Sequence, residues 1–418
     1  MKQGYLSEYF SGICSKRLSA VEVDTETSNQ HEFNGVEKLR DILGEPEGKE
    51  RYTAQFLYFS DSQEEPTTDI GFLTWYDSRR KARLERGVMR WEYRLYFPTN
   101  EVTRSASAGD LLIIASPQET VENQPSLLAI VAEAGSTIER QLIWLFGLSD
   151  RTNEQGFAVR TQLDTDHDRI GFASSTILEK IGVELKETAP NYLEEMLAKF
   201  GGVFPKTNIF SQYARDTVPQ VDSLASPDKA LVAWMEQEEV LFRTLERHLL
   251  GAELEKLRAS EVVEPDEYIR LTMSCIQRRK ARAGSALENH IEEIFKANKV
   301  TYSRTPVTEK NLKPDFILPS ISCYRDMVFP EAHLTMLGVK TTCKDRWRQI
   351  LNEASRIPNK HLLTMEPSIS ENQTNEMIEE RVQLVLPLSL HSTFTPNQQN
   401  WLMGISDFLE LAVDRQSH

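Results

Sequence analysis

Residues 339–353, VKTTCKDRWRQILNE, decide how the second half of this chain is read. They overlap the apolar run TMLGV at 335–339, which is short enough to be a buried strand. Lys340 closes that run. A lysine is seldom set at the end of a buried strand without a partner, because its charge must be paired or wetted. Lys344, Asp345, Arg346, Arg348 and Glu353 then crowd the segment that follows. The spacing of DRWRQILNEASRI predicts a helix there, with Glu353 about three and a half turns along from Lys340.

Outward from this stretch, helices alternate with strands. KPDFILP, HLLTM and VQLVLPL read as further strands, and 397–413 as a closing helix. Residues 229–256, 266–277 and 284–298 carry helical apolar spacing. The pattern predicts an α/β domain with a mixed sheet. Residues 1–175 look different. RYTAQFLYFS, IGFLTWY, WEYRLYF, GDLLIIAS, SLLAIVAE and RQLIWLFGL are short apolar runs between turn formers, and predict a β-rich barrel or sandwich. One helix is expected at GVEKLRDILG, stopped by Gly44. Residues 176–205 are read as a linker and 206–418 as the second domain.

In the second half, three acids join Lys340. Asp315 follows Pro314 at the mouth of a predicted strand, where a carboxylate suits a hard cation such as Mg²⁺. Glu353 and Glu288 lie on predicted helices. Two acids and a lysine around one phosphate is the arrangement of metal-dependent phosphodiester hydrolysis, since a metal stabilises developing charge and acidifies bound water. Each acid also has a plainer reading. Asp315 fits a turn, Glu353 an exposed helix position, and Glu288 a surface pair.

The chain has 418 residues, 40% hydrophobic and 27% charged, an ordinary globular composition long enough for two or three domains. No stretch reaches the roughly 18 apolar residues of a membrane span, and MKQGYLSEYF lacks a signal-peptide core. Cys14, Cys275, Cys323 and Cys343 form no CxxC pair, so a reduced cytoplasmic protein is expected. A net charge of −15 argues against nucleic acid as a partner, but phosphate binding depends on local patches. Residues 79–94, RRKARLERGVMRWEYR, hold seven basic and two acidic side chains, and RRKAR at 278–282 holds four basic ones.

The stretch RRKARAGSALENHIEEIF…KPDFILP…VKTTCKDRWRQILNEA closely resembles the catalytic domain of the EcoRII restriction endonuclease group, a variant of the PD-(D/E)xK superfamily. The resemblance is strongest over 275–395. The usual second acid, two positions before the lysine, is Gly338 here, and the resemblance makes Glu353 its counterpart. It implies Asp315 and Glu353 as metal ligands, Lys340 as the catalytic lysine, and Glu288 as an additional acid. It also implies that Lys344, Asp345 and Arg346 read outer C·G pairs, for which Arg or Lys donors to guanine and an acid accepting from cytosine are chemically suited. Family members that flip a central base pair use an arginine and aromatic residues upstream. ALVAWMEQEEVLF has no arginine before Arg243, and Trp234 is expected to pack rather than to stack on a base.

KRLSA at 16–20 and NQHEFNGVEKL at 29–39 resemble the effector domain of the same group, a DNA-binding pseudobarrel. That resemblance places Arg17 on a first recognition arm and Lys81, Arg83, Glu85, Arg86 and Arg90 on a second. The expected protein is a Type II restriction endonuclease acting with Mg²⁺ on double-stranded DNA at a CC…GG-framed site of CCWGG or CCNGG type. The resemblance further implies a homodimer through the catalytic domain, an N-terminal domain that binds an effector copy of the site and regulates cleavage, and a cognate DNA methyltransferase as functional partner. The alternatives are a DNA-binding regulator with an inactive nuclease fold, which intact Asp315, Lys340 and Glu353 count against, and a repair nuclease without sequence specificity.

Overall fold

The computed structural model describes residues 4–24, 31–63, 65–87, 89–118, 126–148, 156–183, 185, 190–218, 220–259 and 264–417. The chain divides into two compact units. One holds Met1–Leu185 with Ser368–Asn372, the other Lys186–Pro367 with Gln373–His418.

The first unit is built on eight strands: β1 (Phe10–Arg17), β2 (Glu32–Phe33), β3 (Glu50–Phe59), β4 (Thr67–Asp77), β5 (Tyr93–Tyr96), β6 (Leu111–Pro117), β7 (Ser126–Ala132) and β8 (Ala158–Arg160). They form one sheet in the order β2-β5-β4-β3-β7-β6-β1-β8, with β3 and β7 parallel and the other pairs antiparallel. Beside the outermost strands, Phe157 N donates to Gly35 O at 3.0 Å, which draws the two edges together into a pseudobarrel. Gly156 makes this approach possible. It sits at φ +157°, and a Cβ there would lie 2.8 Å from Gly35 O.

Period-two alternation sorts the side chains into two cores. Phe56, Tyr58, Leu112, Ile114, Leu127, Ala129 and Val131 point to one, with Trp75 and Phe97. Leu57, Leu111, Ile113, Leu128 and Ile130 point to the other, where they meet Leu142, Leu145, Ile177 and Leu178. The second core corrects one expectation. RQLIWLFGL is not a strand but part of the helix Thr137–Leu145, opened by Ser136, whose side chain accepts from Glu139 N. A short apolar run does not separate a buried helix from a strand; the N-cap two positions before Ile138 was the available signal.

The second unit holds a five-stranded mixed sheet in the order β13-β12-β11-β10-β9. The strands are β9 (Ser303–Arg304), β10 (Phe316–Leu318), β11 (Thr335–Val339), β12 (Lys360–Leu363) and β13 (Val382–Val385). β11, β12 and β13 run parallel, while β10 is antiparallel to both its neighbours. Among the helices that stand ahead of the sheet in the chain are α1 (Thr207–Asp216), α2 (Pro227–Ala259) and α3 (Pro265–Ala297). The two helices expected at 266–277 and 284–298 are one, because Gly284 lowers helix propensity without breaking the backbone ladder. The end of α3 covers the sheet: Phe295 meets Phe316 edge-on at 5.3 Å, and the closing helix Ile405–Gln416 adds Phe408. Phe172–Lys180 and Pro190–Phe200 are helical, where the sequence pattern predicted a connector. Among the described residues, no helix is long and apolar enough to cross a membrane.

Candidate active site

Strand pairing sets the first two residues of the site. Asp315 stands directly before β10, and its carbonyl accepts from Thr305 N at 2.8 Å. β10 and β11 pair with Phe316 opposite Leu337, which brings Asp315 level with the end of β11. Asp315 Oδ2 accepts from Val339 N at 2.6 Å and from the Lys340 ammonium at 2.9 Å. Lys340 N donates to Leu363 O at 2.9 Å, so the lysine leaves the sheet from a backbone still held by β12.

Glu353 reaches the same place by a different route from the one its spacing suggested. The segment after Lys340 is a 3-10 helix, Lys344–Asn352, and Glu353 is its C-cap, with extended φ −82° and ψ 146°. The expected α-helix through 345–357 is therefore corrected. Ala354, wholly buried, takes the left-handed φ of +47°, which turns the chain away at a cost of roughly 1–2 kcal/mol. Ile357 precedes Pro358 and is biased out of helix. Three residues after Glu353, the Arg356 guanidinium donates to the carbonyls of Tyr324 at 2.5 Å, Asp326 at 2.7 Å and Phe329, which pins the turn.

Gly338 leaves no room for a side chain at the second position before Lys340. A Cβ on Gly338 would stand 2.8 Å from Cγ2 of Ile350, a fully buried residue of the 3-10 helix. The helix that ends at Glu353 thus lies on the backbone where a side chain would otherwise project. An acid at 338 and this path to Glu353 compete for one volume.

The site is electrostatically loaded. Burial pushes the Glu353 carboxyl above its ordinary range; Asp315 adds to the rise, while Lys340 and Lys360 oppose it. Glu353 Oε2 is buried without a hydrogen-bond partner. Glu288, on α3, is raised first by burial and then by Asp315, and Arg304 and Lys340 oppose the shift. Asp315 and Lys340 are thus electrostatic neighbours of both Glu353 and Glu288.

Sequence reading missed three supporting cations. Arg304 on β9 donates to Glu288 at 3.0 Å, to Glu292 at 2.6 Å and to Asn289 Oδ1 at 3.0 Å. Lys360, buried at the start of β12, donates to Ile357 O at 2.9 Å and acts on Glu353. Arg356 is the third. No spacing rule finds them, since each works through neighbours distant in sequence. Trp234 is buried, as its packing reading expects; its ring lies 5.7 Å from that of His290, with the Arg215 guanidinium 5.8 Å from its centre.

The charged cluster opens the 3-10 helix. Arg346 is exposed and Lys344 half-buried, while the side chain of Asp345 lies outside the described residues. In the first unit, Arg17 is paired with the buried Glu139 and donates to Gly109 O at 3.2 Å. Lys81, Arg83, Glu85 and Arg86 ride on the helix Arg80–Arg86. Arg83 is tied to Asp77 and lies over the Trp91 ring at 4.9 Å, and Lys81 stands 3.9 Å from Glu85. Arg86 and Arg90 are exposed, and their side chains make no ion pair among the described residues.

Residues 242–409 match the family model described as EcoRII C terminal. The chain is 32% identical over 339 residues to the Type II restriction enzyme EcoRII of Escherichia coli, covering 80% of this chain and 77% of that one. Among solved structures it resembles metal-depleted Ecl18kI in complex with uncleaved DNA, with a TM-score of 0.44 and 20% identity over 54% of this chain and 84% of that one. The complex of restriction endonuclease PspGI with substrate DNA gives a TM-score of 0.43 and 16% identity over 51% and 95%. The protein is a Type II site-specific deoxyribonuclease that binds DNA. It belongs to the EcoRII family of restriction endonucleases.

Proposed function

We propose that the enzyme cleaves double-stranded DNA at a five-base-pair site with a CC…GG frame, of CCWGG or CCNGG type, by magnesium-dependent hydrolysis. The observation that carries the catalytic assignment is the buried, partnerless Oε2 of Glu353 beside the Asp315–Lys340 pair. Among the described residues no group of three or more His, Cys, Asp or Glu is gathered closely enough to hold a metal ion. The donor set nonetheless fits Mg²⁺, which takes oxygen ligands, keeps several waters, and needs only one or two carboxylates. Asp315 and Glu353 would hold it, and Glu288 would support the site. When bound, the metal supplies charge stabilisation at the phosphate and a more acidic water.

The chain's own residues do the positioning. Lys340, anchored through its backbone to β12 and through Nζ to Asp315, presents an ammonium donor to the scissile phosphate and the attacking water. In-line attack by water leaves a 5′-phosphate and a 3′-hydroxyl. Lys344, Asp345 and Arg346 read the outer C·G pairs from the helix start that follows.

The first domain, proposed as residues 1–175, binds an effector copy of the site through Arg17, Lys81, Arg83, Glu85, Arg86 and Arg90 and regulates cleavage. Residues 206–418 are proposed as the catalytic domain, and 176–205, which are largely helical, as the stretch that joins it to the first. A homodimer through the catalytic domain would supply the two-fold symmetry a near-palindrome requires. A cytoplasmic location and a cognate methyltransferase complete the proposal.

The test is digestion of phage or plasmid DNA in Mg²⁺ with sequencing of the ends, beside Lys340→Ala. Discrete ends sharing one CC…GG site, absent in the variant, are expected. Sequence-specific binding without cleavage, at any magnesium or effector concentration, would overturn the catalytic assignment.

A further inference from the structure

The segment that carries the proposed base readers is held from β12, and one of the holds is a buried acid. β11 and β12 run parallel, with Val339 opposite Leu363. One step past the end of β11, Lys340 N donates to Leu363 O at 2.9 Å. Three residues further along both chains, Cys343 N donates to the carboxylate of Glu366. A side chain takes over where the carbonyls of the ladder stop. Cys343 is wholly buried and Glu366 is 2% exposed. The acid stands on chain that is itself tied down: Thr364 N donates to Val385 O at 3.0 Å, and Glu366 N to Thr364 Oγ1 at 3.1 Å.

Glutamate is almost never buried so fully unless it is paired. Here it accepts from Cys343, the N-cap of the 3-10 helix Lys344–Asn352. Side chains three apart eclipse on such a helix. Trp347 and Ile350 form its inward row, both buried, and Glu353 follows them at the C-cap. Arg346 and Arg348 stand exposed beside that row. The row fixes the rotation of the helix about its axis. The start of the helix is fixed through Cys343, whose carbonyl accepts from Trp347 N at 3.1 Å. We propose that Glu366 is a specificity-positioning residue, which by holding Cys343 sets where Arg346 meets an outer C·G pair.

The consequence is a division of labour along one strand. Leu363 and Asp315 hold Lys340, whereas Glu366 holds the start of the reading helix. Hydrogen bonds to base edges demand close placement, because they weaken steeply with misalignment. Without the carboxylate, the first turn can shift to suit a wrong pair while Lys340 keeps its place. Loss of Glu366 therefore costs discrimination more than rate. An acid that served stability alone would slow cleavage of right and wrong sites alike. The inference rests on the proposed reading of an outer pair by Arg346.

The test is single-turnover cleavage by the full chain, in Mg²⁺, of a duplex carrying CCTGG and of one carrying ACTGG, each with CCTGG duplex added as effector. Glu366→Ala should raise the ACTGG rate relative to the CCTGG rate by about tenfold. Glu366→Asp, one methylene too short to reach Cys343 N in full, should raise it by less. Urea unfolding checks that each variant is folded, and if Glu366→Ala is not, Glu366→Asp carries the test. A ratio equal to that of the unaltered chain in the folded variants overturns the proposal. Arg346→Ala separates the two readings. If it changes the ratio and the Glu366 variants do not, only the positioning role falls. If it leaves the ratio as it was, or if the unaltered chain does not cut CCTGG, the reading of the outer pair falls and this inference falls with it.

Discussion

The two units handle charge in opposite ways. In the second, acids and a lysine from four elements converge on one locus, and the cost of convergence is visible as carboxyls pushed up by burial. In the first, the arginines of the two proposed arms are either spent on acids of their own unit or left exposed. Arg17 holds Glu139 and Arg83 holds Asp77, whereas Arg86 and Arg90 face solvent. Convergence stores free energy that chemistry can use. Dispersal leaves donors ready for a phosphate backbone and tolerates change.

That contrast can be broken most sharply at Lys340. Lys340→Ala is expected to lower single-turnover cleavage by about 10²–10³-fold, the usual loss when one positioned donor is removed, with DNA binding by gel shift retained. Near-normal cleavage would mean that the locus is not catalytic.

Next is an acid-stability effect within the second unit. Burial, with Arg415 nearby, lowers the pKa of His361 from 6.5 to about 4. The folded form therefore keeps the ring neutral while the unfolded chain takes up a proton. Stability from this group is full above pH 6.5 and is lost as pH falls toward about 4, by about 3 kcal/mol at about 1.36 kcal/mol per pH unit. His361→Phe should flatten that limb of a urea-unfolding series across pH.

The first unit sharpens the contrast through two arginines. Arg17→Ala leaves Glu139 buried without its cation and should cost about 2 kcal/mol in denaturant unfolding. Arg86→Ala should change stability by less than about 0.5 kcal/mol. It should instead weaken DNA binding and reduce the salt slope by about 1. Equal stability loss in both variants would erase the distinction between a spent arginine and a free one.

Much of this was legible in the sequence, and the failures share a cause. Strands β3–β7 and β10–β13 followed from period-two alternation or short apolar runs, since those patterns report one face or both faces buried, whereas β1, β2, β8 and β9 were not expected. Asp315 and Lys340 stood out because a charge at a strand end is costly unless used. Thr137–Leu145 was misread because a helix buried nearly all round has no polar stripe to reveal its period. The 3-10 geometry before Glu353 was hidden because the close approach of Ile350 to Gly338 on β11 is a packing contact that spacing does not report. Arg304, Lys360 and Arg356 were invisible for the same reason, as their partners are chosen by folding rather than by spacing.

The contact between Gly338 and Ile350 has a consequence for how such an enzyme can change over generations. A single substitution placing an acid at 338 collides with Ile350 before it can replace Glu353, so the halfway form carries two acids and a displaced helix. Gly338→Asp should therefore lose stability by about 1–3 kcal/mol, the range for an overpacked core, and Ile350→Ala in the same chain should recover part of it. If Glu353 is the second acid, moving that acid to 338 requires room to be made at Ile350 first. The order of the two changes then matters: Ile350 must shrink before an acid at 338 can be carried without loss of stability.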